Sequence, residues 1–145
     1  MRPKLKTILL VDDDEATNFI HEMVIKQMNC TENIVVRENG IEALEYLKST
    51  IEGKHPQPDL IFLDINMPAM DGWEFLEEYK SLPKNQLAKS VVVMLTTSLN
   101  PEDKDKAEII PFISRFMSKP LTKELLEEVL ENHFIEHDKL NETLD

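Results

Sequence analysis

The sequence predicts an α/β fold built on a doubly wound parallel β-sheet. Short apolar runs of strand length alternate along the chain with segments whose apolar residues recur at helical spacing, and five such pairs follow one another. One run, residues 91–95, is apolar without alternation and begins with three β-branched valines, as is typical of a central parallel strand. Parallel strands need crossover connections, which are right-handed, so the five pairs predict a three-layer α/β/α sandwich with five parallel strands.

The strands are predicted from the apolar runs and from the turn residues that bound them. They cover residues 8–11 (β1), 34–36 (β2), 60–63 (β3), 91–95 (β4) and part of 112–117 (β5). A loop that contains one glycine and two prolines, residues 51–58, precedes β3.

The helices are predicted from apolar residues at a spacing near 3.6 and from polar residues that suit a helix start. The apolar residues are Phe19, Ile20, Met23, Val24 and Met28 in α1; Ile41, Ala43, Leu44 and Leu47 in α2; Trp73, Phe75, Leu76 and Tyr79 in α3; and Leu125, Leu126, Val129, Leu130 and Phe134 in α5. The expected caps are Asp13 or Asp14 for α1, Asn100 followed by Pro101 for α4, and Thr122 for α5. Pro111 is expected to end α4, and the polar residues 135–145 to form a frayed tail.

Length and charge restrict the classes of function. The chain of 145 residues has the size of one domain. Its 28 acidic and 16 basic residues give a net charge of -12, which repels phosphate backbones and anionic lipid, so we expect neither nucleic-acid nor membrane binding. Cys30 is the only cysteine and cannot form an intramolecular disulfide, and no long apolar segment follows the amino terminus. We therefore expect a cytoplasmic protein.

Polar side chains stand where the predicted strands end. Asp12 and Asp13 close β1, Asp64 closes β3, Thr96 closes β4 and Lys119 follows β5. The carboxyl ends of parallel strands lie at one edge of the sheet, where α/β proteins bind their ligands, so we expect these side chains to converge. Three adjacent carboxylates repel one another unless a cation neutralises them, and an oxygen-only ligand set suits Mg²⁺ best. Asp64 by itself could simply cap the next helix, but the other four positions favour a working site.

These positions carry a resemblance to the response-regulator receiver domain of two-component signalling, of the single-domain, chemotaxis-receiver-like kind. The resemblance covers residues 5–134. It rests on Val11-Asp12-Asp13, on Leu63-Asp64-Ile65-Asn66-Met67-Pro68 with Asp71-Gly72, on Met94-Leu95-Thr96 and on Ser118-Lys119-Pro120. It implies a flavodoxin-like sheet with strand order 2-1-3-4-5.

The resemblance also implies roles for the site residues. Asp64 would be the phosphoacceptor, Asp13 and Asp64 would bind Mg²⁺ directly, Asn66 would bind it through its backbone carbonyl, and Asp12 would act mostly through a bound water. Lys119 would pair with a phosphoryl oxygen, and the Lys119–Pro120 bond would be cis. The protein would be a phosphoacceptor and not an enzyme in the usual sense.

The same resemblance implies a switch. Thr96 would turn toward the phosphoryl group, Phe116 would move inward with it, and the surface formed by α4, β5 and α5 would change. Thr97 departs from the small residue that usually follows the switch hydroxyl, and its extra atoms are expected to affect rates more than the role of the site.

The implied partners are a sensor histidine kinase or a histidine phosphotransfer protein, together with an unidentified downstream protein. Because the receiver domain would fill the chain, we expect no output domain, and a monomer or weak dimer. The chain would either relay phosphate onward or bind a target when phosphorylated. The four histidines, one of which is His21 in α1, are expected to be solvated or packed and not to start the relay.

Two alternatives stay open at this point. A small aspartyl phosphatase resembling the haloacid-dehalogenase group would use Asp12 as its nucleophile within the DxD pattern at 12–14, although Ala16 and the lack of an acidic pair after the lysine depart from that group. The second alternative is a degenerate receiver domain that serves only as a scaffold. The intact acidic residues disfavour this alternative.

Overall fold

The structure is a computed structural model that describes residues 4–88, 91–97, 100–111 and 113–131. Within these residues the strands are β1 Leu5–Val11, β2 Thr31–Arg37, β3 Leu60–Asp64, β4 Val91–Thr96 and β5 Ile113–Ser118. The helices are α1 Glu15–Met28, α2 Gly40–Lys48, α3 Gly72–Tyr79, α4 Pro101–Glu108 and α5, which covers 123–131 at the end of the described part. Phe112, Phe134 and the predicted tail 135–145 lie outside the described residues. No helix in the described ranges is both long and apolar enough to cross a membrane.

All the strand pairs are parallel, and the strand order is 2-1-3-4-5. The register pairs Val11 with Leu63 and Asp64 with Leu95, so β1, β3 and β4 end at the same edge of the sheet. This confirms the predicted fold class, including the strand order. A parallel sheet with this order changes the direction of its connections between β1 and β3, and that change opens a crevice where ligands bind.

Helices cover both faces of the sheet, because alternate residues of each central strand enter different apolar clusters. In β3, Ile61 and Leu63 pack in one cluster with residues of α2 and α3. Leu60 and Phe62 pack in the other with residues of α1 and α5. Every residue of β3 is buried. The strand that carries Asp64 is thus held rigidly from both sides.

Polar side chains cap the helices largely as predicted. Asp14 caps α1 by accepting a hydrogen bond from the backbone of Ala16. Asn100 caps α4, which begins with a proline, and the Thr122 hydroxyl accepts a hydrogen bond from the N–H of Leu125 at 3.2 Å. Each cap satisfies a backbone donor that the first turn of a helix leaves without a partner.

The prediction of the buried face of α1 was wrong in part. Phe19 and Met23, placed in the apolar pattern, are 64% and 44% exposed. The buried residues of this helix are instead Asn18, His21 and Ile25. The helix buries these two polar residues because both find hydrogen-bond partners there. Asn18 and His21 each hydrogen bond to a backbone group of another segment. Tertiary hydrogen bonds offset the cost of burying these groups.

Strand β2 is longer than predicted, because it starts three residues earlier. Those residues, Thr31 to Asn33, are polar and gave no apolar signal, yet Thr31 and Asn33 pair with Leu5 and Thr7 of β1. An edge strand needs backbone pairing on one side only, so its outer residues can be polar.

Candidate functional site

Three carboxylates meet at the carboxyl edge of the sheet. Asp12 directly follows β1, Asp13 is the next residue, and Asp64 is the last residue of β3. One carboxylate oxygen from each lies within 4.8 Å of the other two. Asp12 and Asp64 are buried and Asp13 is exposed, so the cluster opens to solvent on one side. The structure thus brings together the carboxylates that the sequence predicts to converge.

Lys119 inserts its ammonium group between two of these carboxylates. Its Nζ lies 2.5 Å from Oδ2 of Asp12 and 3.1 Å from Oδ1 of Asp64. The three side chains are nearly enclosed, with Lys119 only 10% exposed. One ammonium opposes three carboxylates when all are ionised, so the cluster keeps a net negative charge that a divalent cation could neutralise.

Burial and like charge act together on Asp64. Burial raises the pKa of Asp64 above its ordinary value, the charge of Asp12 raises it further, and Lys119 opposes both effects. For Lys119, burial by itself lowers the pKa, but the hydrogen bonds and charges of Asp12 and Asp64 outweigh it, so that the pKa of Lys119 is raised. Lys119 is therefore protonated near neutral pH. Burial and the charge of Asp12 disfavour the ionised form of Asp64.

Backbone contacts fix Asp12 in place. Its N–H donates to the carbonyl of Arg37 at 3.1 Å, and its own carbonyl accepts from Nδ2 of Asn18 at 2.8 Å. Oδ1 of Asp12 accepts from the N–H of Asp14 at 3.0 Å. The first turn of α1 thus holds the end of β1, and Asp12 keeps Oδ2 for Lys119.

The turn after β3 is held against Asp64 by a glycine. A Cβ atom on Gly72 would lie 2.6 Å from the carbonyl oxygen of Asp64 and 2.9 Å from Cα of Ile65, so a side chain here would force the backbone to shift. The N–H of Gly72 donates to the carbonyl of Ile65 at 2.7 Å, and Asp71 caps α3 in a reciprocal pair with Glu74. The Asp-Gly pair therefore closes the loop tightly over the carboxyl end of β3.

The loop that carries Lys119 is tied to two other elements. The N–H of Lys119 donates to the carbonyl of Thr96 at 2.8 Å, and the N–H of Leu121 donates to Nε2 of His21 at 3.2 Å. The Lys119–Pro120 bond is cis, as the resemblance implies. β4 therefore holds one side of the loop and α1 holds the other.

The structure places the remaining predicted residues around this cluster. Thr96 ends β4 and is buried, whereas Thr97 is exposed and lines a small cavity of about 220 Å³ together with Lys119. Phe116 lies half-buried in β5, against the apolar cluster that includes residues of α3. Asn66 is exposed in the loop that follows β3.

Sequence reasoning missed Asn18 and His21 as neighbours of the site. Together with Ile25 they stand at positions i, i+3 and i+7, which is the spacing of one helix face. That spacing was the available signal, but the stronger apolar pattern of Phe19 and Met23 concealed it. Oδ1 of Asn18 is buried without a hydrogen-bond partner in the described part of the chain, although its Nδ2 is satisfied.

The donor set fits a hard divalent cation. All three side chains offer oxygen, and none of the described His or Cys residues joins the cluster. Mg²⁺ and Mn²⁺ prefer such ligands and retain bound waters, which suits a cluster that is open on one side. Lys119 already compensates part of the charge, so a single divalent ion would bring the cluster close to neutrality.

Comparison with known proteins identifies the family. A family model described as the response regulator receiver domain matches residues 8–131. The chain belongs to this family. Receiver domains are the phosphoacceptor modules of two-component signalling and bind a divalent metal at an acidic pocket. The residue pattern from which the resemblance was drawn therefore led to the correct family.

Individual relatives agree with this assignment. Response regulator Rcp1 of Synechocystis sp. is 37% identical over 99 residues, which are 68% of this chain and 66% of Rcp1, just under two thirds of that relative. The crystal structure of a two component response regulator from Cytophaga hutchinsonii has a TM-score of 0.78 at 31% identity and covers 90% of this chain and 98% of that one. A Mn²⁺-bound form of Rcp1 has a TM-score of 0.68 at 31% identity, with 86% and 88% of the two chains covered.

Proposed function

We propose that this receiver domain accepts a phosphoryl group on Asp64 from a histidine kinase or a histidine phosphotransfer protein, in a reaction that requires Mg²⁺. The observation that carries the proposal is the ammonium of Lys119, 3.1 Å from Oδ1 of Asp64 within a cluster of three carboxylates. A buried carboxylate beside a fixed cation, at the edge of the sheet where ligands bind, can receive and then stabilise an anionic group.

The transfer is an in-line displacement at phosphorus. A carboxylate oxygen of Asp64 forms a bond to phosphorus while the bond from phosphorus to the donor nitrogen breaks, and the electron pair of that bond stays on the nitrogen. The product is an acyl phosphate on Asp64. Lys119 loses its contact with the carboxylate and pairs with a phosphoryl oxygen, which a lysine point charge does well. The ion pair in the structure therefore already holds the ammonium where it is needed.

The metal ligands in this proposal are the carboxylates of Asp13 and Asp64, the backbone carbonyl of Asn66, and Asp12 through a bound water. A divalent ion held by these residues would supply positive charge to offset the charge of the transferring phosphoryl group. The Mn²⁺-bound form of Rcp1 supports the binding of a divalent ion, since a relative of the same family holds one. Exposure of Asp13 gives the ion a route from solvent.

The proposed output is a change of the surface formed by α4, β5 and α5. The phosphoryl group adds roughly 1.5 to 2 negative charges near neutral pH. It would attract the Thr96 hydroxyl from the end of β4, and Phe116, which is only half-buried, would move into the space that becomes available. Residues 5–134 would act in the cytoplasm, as a monomer or weak dimer, either by binding a protein target when phosphorylated or by passing the phosphate onward.

The test is phosphorylation by acetyl phosphate in the presence of Mg²⁺, followed by intact mass measurement. The wild-type protein should gain one phosphoryl mass and Asp64→Asn should gain none. Asp105→Asn is the matched control, because it removes an exposed carboxylate from α4 and should leave labelling unchanged. Label that persists in Asp64→Asn and maps to Asp12 would support the phosphatase alternative and contradict the proposal.

A further inference from the structure

The loop that carries Lys119 is hydrogen bonded to a buried side chain of α1. Two residues after Lys119, the N–H of Leu121 donates to Nε2 of His21 at 3.2 Å, across a separation of one hundred residues in the sequence. Both partners are almost fully enclosed, with His21 2% and Leu121 1% exposed. Loss of the acceptor of a buried N–H destabilises the native state more than loss of the acceptor of an exposed N–H, because water does not replace the lost partner. This hydrogen bond therefore couples the loop to the helix.

The two hydrogen bonds that hold the Lys119 loop, one to β4 and one to α1, differ in the type of acceptor. The bond from the Lys119 N–H to the Thr96 carbonyl joins two backbone groups, so almost any side chains would preserve it. The bond from Leu121 needs an acceptor on a side chain of the right length, and His21 supplies it. His21, Lys119 and Pro120 also line the same cavity of about 220 Å³.

The protonation state of His21 suits this role. Burial lowers the pKa of His21, and the charge of Lys119 lowers it further, while Asp12 acts in the opposite direction. A neutral imidazole with its proton on Nδ1 leaves Nε2 free to accept a hydrogen bond.

We propose that His21 is a positioning residue for phosphoryl transfer, whose Nε2 holds the Lys119–Pro120–Leu121 loop so that the Lys119 ammonium stays between Asp12 and Asp64. The inference rests on the proposed function of Asp64. His21 does not touch the reacting atoms; it acts through Lys119. Loss of the bond should therefore slow transfer without removing the phosphoacceptor or the metal ligands.

The experiment compares four proteins in the acetyl phosphate reaction at saturating Mg²⁺, over a range of donor concentrations: wild type, His21→Leu, His21→Gln and Lys119→Gln. His21→Leu removes the acceptor and should lower the limiting rate of labelling roughly five- to tenfold, the scale of one net hydrogen bond. His21→Gln offers an amide oxygen to Leu121 and should stay within about twofold of wild type. The N–H resonance of Leu121 should move in His21→Leu and less in His21→Gln.

A double-mutant cycle separates positioning from general loosening of the core. If His21 acts through Lys119, then His21→Leu in the Lys119→Gln background should slow labelling by less than about twofold more. Ile25→Val is the matched control, because Ile25 lies one turn later on the same buried face of α1. It should lower the melting temperature slightly and leave the rate unchanged.

Three results would overturn the inference: an unchanged limiting rate in His21→Leu, equal slowing by His21→Leu with and without Lys119, or the same slowing in Ile25→Val. If His21→Leu does not fold, the long-range ¹⁵N spectrum of the wild-type imidazole decides, because a proton on Nε2 excludes the bond from Leu121 and a proton on Nδ1 supports it. If the wild-type protein accepts no phosphate, the proposed function is refuted. If the rate of labelling does not depend on His21, only this inference is refuted.

Discussion

The backbone N–H of Lys119 donates a hydrogen bond to the carbonyl oxygen of Thr96 at 2.8 Å. The residue that pairs with Asp64 and the residue proposed as the switch hydroxyl are thus joined through their main chains. Thr96 is 2% exposed, so its backbone has little freedom to move independently. A displacement at the end of β4 is therefore expected to reach the Lys119 loop, and a displacement of that loop to reach β4.

Removal of the Thr96 hydroxyl should separate phosphorylation from switching. Thr96→Ala should still accept phosphate on Asp64, but the chemical-shift changes that beryllofluoride produces in α4 and β5 should shrink by at least half. Thr96→Ser is the matched control, since it keeps the hydroxyl and should retain most of the response. Full changes in Thr96→Ala would mean that the chain signals by another route or serves as a relay whose surface need not change.

Mg²⁺ should stabilise the fold through Asp13. A ligand that binds only the native state raises the free energy of unfolding by about 2.7 kcal/mol when its free concentration is one hundred times its Kd. Asp13→Ala should abolish most of the increase in melting temperature measured across a Mg²⁺ titration. Asp13 is exposed, so the variant should fold normally without metal. Asp105→Asn should behave as wild type, and an undiminished shift in Asp13→Ala would count against the proposed ligands.

The raised pKa of Asp64 predicts how stability without metal depends on pH. Burial and the Asp12 charge raise the pKa of Asp64 above 3.8, so the native state still binds a proton at pH values where the unfolded chain has released it. The contribution of Asp64 to the free energy of unfolding then falls as pH rises from the unfolded pKa through the raised native pKa. The melting temperatures of wild type and Asp64→Asn should be compared from about pH 4 to about pH 8. The variant has no ionisable group at position 64. The advantage of Asp64→Asn should grow with pH, and a constant difference would contradict the shift.

Loss of the ammonium should destabilise the metal-free protein. The pKa of Lys119 is raised above 10.5, so its stabilising contribution is fully present at neutral pH and disappears only as pH rises through that native pKa. Lys119→Gln should lower the free energy of unfolding by about 2 kcal/mol, less than for a fully enclosed pair because Asp13 opens the cluster to water. Mg²⁺ should restore part of the loss in urea unfolding. Equal stability of the two proteins without metal would exclude a stabilising role for the ion pair.

Gly72 and Gly40 offer a matched comparison, because each is the first residue of its helix. A Cβ on Gly72 would meet backbone atoms of Asp64 and Ile65, and overpacking of this kind costs about 1–3 kcal/mol. A Cβ on Gly40 would meet the side chain of Met70, which can move. Gly72→Ala should therefore reduce both the stability and the rate of Asp64 labelling, whereas Gly40→Ala should change the rate little. Equal rates in the two variants would show that the close approach at Gly72 does not matter for the site.

The sequence was sufficient to predict the edge of the sheet where the site lies, because parallel strands that end in polar residues must bring those residues together. It also predicted the cap at Asn100, whose signal is local. It could not predict that α1 turns Asn18 and His21 inward, since their partners, the Asp12 carbonyl and the Leu121 N–H, are distant groups that only the folded chain brings close. Nor could it show that Lys119 contacts two carboxylates at once, which depends on the path of one loop.

The convergence of strand ends has a practical consequence. Every reactive side chain is present in an unfolded or misassembled molecule, yet the ammonium and the carboxylates are then far apart. Acetyl phosphate should therefore label only molecules whose β-strands are paired in the native register. The labelled fraction of a preparation would then report the fraction of correctly folded molecules. At acetyl phosphate concentrations at which labelling outpaces hydrolysis of the acyl phosphate, the unlabelled fraction would measure the share of molecules whose site is not assembled.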